Sequence, residues 1–121
     1  MENRLILLLI FCCHAGFSQI NDDFSDGNFS VNPEWNGSNS GGDFKIINNR
    51  LRSESNKASG NFYLSTANTL ASNCYWEFWI NLQFSTSGLN YADIYLISDK
   101  ADLLSAMING YFLRIGNTED E

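Results

Sequence analysis

An all-β fold, built as an antiparallel sandwich, follows from three observations on the sequence. Residues 74–84 alternate almost without a break, with Cys74, Trp76, Phe78, Ile80, Leu82 and Phe84 on one side and Tyr75, Glu77, Trp79, Asn81 and Gln83 on the other. A period of two over such a length, rich in aromatics, is a strong strand signal. About seven short runs of this kind are separated by Gly, Asn and Ser turns, the spacing of a sandwich. No stretch of comparable length keeps a helical period.

The chain begins with a targeting segment. Arg4 supplies a positive charge, residues 5–13 a short apolar run, and Gly16 and Ser18 the small residues before a cut at Gln19. The apolar run is well short of the roughly 20 residues that span a bilayer. The reading is a signal peptide over residues 1–18 and a β-sandwich domain over 19–121. The mature chain is expected to have no membrane span and to be secreted or held at the cell surface. Cys12, Cys13 and His14 leave with the signal, so Cys74 remains without a disulfide partner and His chemistry is absent from the domain. On the inward side of its strand, Cys74 serves as a small apolar packing residue.

After the cut, Phe24 and Phe29 read as anchors on either side of an Asp26-Gly27 turn. Asp22, Asp23 and Asp26, with Asn21 and Asn28, offer oxygen ligands of the kind Ca²⁺ takes. Their spacing matches no EF-hand loop, so a solvated acidic turn is the leading reading. No cofactor motif is present, and Ca²⁺ here is the one cation to consider. Residues 32–43 read as a loop, with the only proline and with Trp35 plugging one end of the core.

Strands are expected at 43–47 and 50–54, joined by Asn48-Asn49, a pair that tolerates the positive φ of a tight hairpin. Another is expected at 61–65. Residues 67–73 form a polar connection into the 74–84 strand. Residues 85–88 (Ser-Thr-Ser-Gly) form a turn before a strand at 91–97, where Ala92, Ile94 and Leu96 oppose Tyr91, Asp93 and Tyr95. Residues 99–109 read as a loop leaning on the sheet edge. The last strand, 111–115, turns Tyr111, Leu113 and Ile115 inward and Phe112 and Arg114 outward. The acidic end at 118–121 reads as a turn toward a further strand, which makes the domain the N-terminal part of a longer chain.

Composition narrows the function. A net charge of −7 repels phosphate backbones and argues against nucleic acid as a partner. The outward residues Tyr75, Glu77, Trp79, Tyr91, Asp93 and Tyr95, with Arg114 on a third strand, mix rings with charged groups. Sugars present apolar C–H patches to rings and hydroxyls to carboxylates and amides, so this face suits a polysaccharide. High β propensity on an ordinary sheet face, or a covering layer, explains the same residues. A glycoside hydrolase needs two carboxylates roughly 5–10 Å apart. Glu77 has Trp79 and Asn81 at the positions where a same-strand partner would stand, leaving Glu77 with Asp93 as the only visible pair. The expected function is therefore a non-catalytic, structural or adhesive module with carbohydrate binding as its working mechanism. The alternative is a hydrolase-like enzyme fragment.

The segments 22–29 (Asp-Asp-Phe-Ser-Asp-Gly-Asn-Phe), 32–37 (Asn-Pro-Glu-Trp-Asn-Gly), 76–79 (Trp-Glu-Phe-Trp), 95–99 (Tyr-Leu-Ile-Ser-Asp), 109–112 (Asn-Gly-Tyr-Phe) and 115–116 (Ile-Gly), in this order, carry a resemblance. The chain resembles the N-terminal region of large secreted surface proteins of Gram-negative bacteria. Those proteins commonly carry lamin-tail or Ig-like modules downstream, and some end in a sorting domain. The resemblance implies a concanavalin-A-like jelly roll whose first half is this chain, with the downstream domains as its partners. It implies no active-site residue.

Overall fold

A computed structural model describes residues 20–38, 42–57, 59–70 and 72–116. The expected signal peptide, with Cys12, Cys13 and His14, and the acidic end at 118–121 lie outside the described residues.

The described chain is all-β. It holds β1 (Trp35–Gly37), β2 (Phe44–Ile46), β3 (Leu51–Ser53), β4 (Leu64–Thr66), β5 (Ala92–Ser98) and β6 (Gly110–Ile115). These pair as three small antiparallel sheets, β1 with β4, β2 with β3 and β5 with β6.

The β2–β3 hairpin forms as its sequence requires. Asn48 (φ 53°) and Asn49 (φ 57°) both occupy the left-handed region, and Ile47 and Arg50 exchange backbone hydrogen bonds of 3.0 and 3.2 Å across them. Asn enters this region at less cost than most residues because its short amide can bond locally. Beside the hairpin, Phe44 and Phe62 meet edge to face with centroids 5.3 Å apart.

β1 falls where a loop was expected. Gly and Asn depress strand propensity there, but pairing with β4 overrides it. The Ser38 amide donates to the Tyr63 carbonyl at 3.0 Å, and the Tyr63 amide donates to Ser38 Oγ at 2.8 Å. Gly37 permits this closeness, because a Cβ there would collide with the Tyr63 carbonyl. The preceding segment is held down by Trp35. Its Nε1 donates to Asp22 Oδ2 at 2.8 Å, its amide donates to the Phe29 carbonyl at 2.8 Å, and its ring lies 6.2 Å from that of Phe24.

The largest sheet is β5–β6. Its register sets Ala92 opposite Ile115, Asp93 opposite Arg114, Ile94 opposite Leu113 and Tyr95 opposite Phe112. A bulge then skips Leu96, so that Ile97 faces Tyr111 and Ser98 faces Gly110. The connecting loop is closed by Asp99, whose carboxylate accepts from the Asn109 amide at 2.9 Å and from its side chain at 2.7 Å. Residues 99–109 are irregular, as expected, and lean on β4 through Ser65, whose Oγ donates to the Ala101 carbonyl at 2.7 Å.

Residues 74–84 correct the expectation of a central strand: no strand is assigned there. Alternation sorts side chains onto two faces, but a strand also needs a partner for its backbone groups. Trp76, Phe78, Ile80 and Phe84 are each about two-fifths exposed, and Cys74 is half-buried and unoxidised. No large apolar side chain is fully buried among the described residues. The buried polar residue is Asp43, whose Oδ2 lies 3.5 Å from the Lys57 ammonium.

Candidate functional site

The site is the face of β5–β6 that carries Asp93, Tyr95, Phe112 and Arg114; the expected inward turn of Tyr111 and Leu113 is not seen, since both are exposed. Strand parity puts Asp93 and Tyr95 on one side of β5, and pairing puts Arg114 and Phe112 directly across from them. Arg114 donates from Nε to Asp93 Oδ1 and from Nη2 to Asp93 Oδ2, both at 2.7 Å. This is a two-pronged, charge-assisted pair. It holds the guanidinium flat, with its carbon 4.1 Å from the Tyr91 ring centre and 5.6 Å from that of Phe112. Phe112 stacks in turn on Tyr95, with centroids 5.0 Å apart and planes 29° from parallel.

The result is a continuous row, Tyr91, Arg114, Phe112 and Tyr95, with Asp93 alongside. The Asp93 hydrogen bonds push the Arg114 pKa further up from an already high value. The guanidinium therefore carries a permanent charge. Arg114 is partly exposed and Asp93 less so. The Nη1 donors of Arg114 are not used by Asp93. This is a surface that can take and give hydrogen bonds around an apolar centre.

The sequence singled out six residues for this face, and the structure brings three of them together: Tyr91, Asp93 and Tyr95. Phe112 joins them, an outward residue the sequence had placed on this side without assigning it a role. Its signal was parity with Arg114, two residues on. Tyr75, Glu77 and Trp79 lie on the 74–84 segment, outside the row. Tyr75 and Trp79 are strongly exposed, Trp79 at 97%. The ring faces inside the row are occupied by their neighbours, whereas the Trp79 indole is open on both sides.

The acidic turn is organised differently. Asp22 accepts from the Phe24 amide at 2.8 Å, Asp23 from the Ser25 amide at 3.0 Å and Asp26 from the Asn28 amide at 3.1 Å. Each carboxylate caps the backbone two residues on, the turn chemistry of aspartate. The Ser25 bond holds the Asp23 carboxyl below its ordinary pKa. Among the described residues no group of three or more His, Cys, Asp or Glu side chains converges on a metal-sized site, and no helix is long and apolar enough to cross a membrane.

The fold and this face define a class, an all-β protein of small antiparallel sheets that displays aromatic rings around an ion pair. Comparison of the chain with family models, curated proteins and solved structures returns no match.

Proposed function

We propose that this chain is a non-catalytic module of a secreted or cell-surface protein, structural or adhesive in role, that contacts polysaccharide through the β5–β6 face. The observation that carries this reading is the row Tyr91, Arg114, Phe112 and Tyr95 with Asp93 beside it. Aromatic edges, spare guanidinium donors and a carboxylate lie within one patch, the mixture that sugar C–H groups and hydroxyls require. Trp79, exposed nearly completely, adds an open stacking platform. The Arg114 clamp on both oxygens of Asp93 supports the non-catalytic reading, because it keeps that carboxylate engaged within the face.

The proposal includes a sandwich that further strands complete as a concanavalin-A-like jelly roll. The exposed apolar side chains of residues 76–84 support it, since a second layer would cover them. The test is a glycan array and polysaccharide pull-down on the full chain, with and without Ca²⁺. Retention that drops in Trp79→Ala or Tyr91→Ala, with unchanged circular dichroism, supports the reading. Absence of retention on every glycan refutes the sugar contact and leaves a purely structural module.

A further inference from the structure

We infer that the Asp93–Arg114 pair makes this face selective for neutral sugars bearing adjacent hydroxyls and makes it reject uronate-bearing glycans, with Asp93 as the residue that sets the choice. The inference rests on the glycan-binding reading above.

An arginine on an aromatic face is ordinarily the means of capturing a carboxylate, because its planar fork matches two oxygens. Here that fork is filled from within the protein. Nε and Nη2 are both bound to Asp93 at 2.7 Å. The guanidinium also lies over the Tyr91 ring, 4.1 Å from its centre, with the Phe112 ring centre 5.6 Å away. An incoming carboxylate would meet only the Nη1 side of an already neutralised pair. It would also meet the field of Asp93 and of a chain with a net charge of −7. The Arg114 charge that would draw it in is offset by Asp93, so what remains is the repulsion of the acidic chain, which low salt leaves unscreened.

A neutral diol meets none of this opposition. One hydroxyl accepts from Arg114 Nη1 while its neighbour donates to a free lone pair of Asp93, and the ring C–H groups rest against Tyr91. The ion pair supplies a donor and an acceptor side by side, fixed in spacing by two short hydrogen bonds and by the ladder beneath them. Fixed spacing of this kind lowers the ordering cost of binding.

The experiment is a calorimetric titration of the full chain with two hexasaccharides, a neutral β-glucan and an oligogalacturonate, at low salt. The wild type is expected to bind the glucan several-fold more tightly than the uronate. Asp93→Asn is expected to narrow that ratio toward one by admitting the uronate. Glu34→Gln, on an exposed residue away from the face, makes the same change in net charge and is expected to leave the ratio alone. Arg114→Gln is the second variant, should Asp93→Asn misfold. It leaves Asp93 without its counter-charge and is expected to sharpen rejection of the uronate. Equal wild-type affinity for the two sugars, or a ratio that Glu34→Gln moves as far as Asp93→Asn, overturns the inference while the glycan reading stands. Failure of the wild type to bind either sugar overturns both.

Discussion

Arg114 closes on Asp93 across the β5–β6 ladder with two bonds of 2.7 Å, one to each carboxylate oxygen. Pairing sets the two residues directly opposite, so neither backbone bends to bring them together. The pair shapes the face more than it stabilises the fold, because exposed ion pairs add little to stability. Its removal is expected to loosen the row above it. In Asp93→Ala, the ring-current shifts of Tyr91 and Phe112 should move toward their free values in NMR spectra, with the sheet's amide pattern retained.

Asp43 and Lys57 predict an asymmetric response. The Asp43 carboxylate is 1% exposed, and its Oδ2 has no hydrogen-bond partner beyond the ammonium 3.5 Å away. Lys57→Ala leaves that buried charge uncompensated and should destabilise by about 1–3 kcal/mol. Asp43→Asn removes the charge itself and should cost less than about 1 kcal/mol. Urea denaturation of the two variants checks the order.

Gly110 stands at the head of β6, where a Cβ would collide with the Ile97 carbonyl across the ladder. Gly110→Ala should destabilise by about 1–3 kcal/mol through forced displacement of the strand. Hydrogen exchange should report faster opening around the Tyr95–Ile97 bulge first.

The hairpin turn predicts a preference at one position. Asn49 sits at φ 57°, a region that costs other L-residues roughly 1–2 kcal/mol. Asn49→Ala should lower stability by about 1 kcal/mol, while Asn49→Gly should be neutral or better. Thermal denaturation of both variants separates backbone strain from any loss of the Asn side chain.

Acid should release the β5–β6 loop before the sheet itself. The Asn109 side chain, then its amide, holds the Asp99 carboxyl below the ordinary value of 3.8. A depressed folded-state pKa means a contribution that is complete above 3.8 and lost as pH falls through the lower value. The Asn109 amide should therefore lose its exchange protection only in strong acid, and Asp99→Asn should abolish that pH dependence.

Much of the sheet structure was legible in the sequence. The Asn48-Asn49 turn and the strands on either side follow from local chemistry, and so do β5 and β6, whose alternation is undisturbed up to Leu96. The sides of Tyr91, Asp93, Tyr95, Phe112 and Arg114 were legible for the same reason. Which residue of β6 faces which residue of β5 was not, since the Leu96 bulge and the Asp99–Asn109 clamp set the register. β1 escaped because Asn36 and Gly37 signal a loop, and only contact with Tyr63 and Leu64 draws them into a ladder. Residues 74–84 failed in the opposite sense. Trp76, Phe78 and Ile80 declare a face, but among the described residues no strand pairs with them.

The β1–β4 ladder also protects a chemical weak point. Asn36-Gly37 is the dipeptide most prone to deamidation, which requires the Gly37 nitrogen to reach the Asn36 side-chain carbonyl carbon. Extended backbone opposite Ser65 and Leu64 keeps the two apart. Each opening of that ladder gives the reaction a chance to proceed. Isoaspartate at position 36 is therefore expected to form only as often as β1 comes away, so that peptide mapping of aged protein would read out the opening of this ladder.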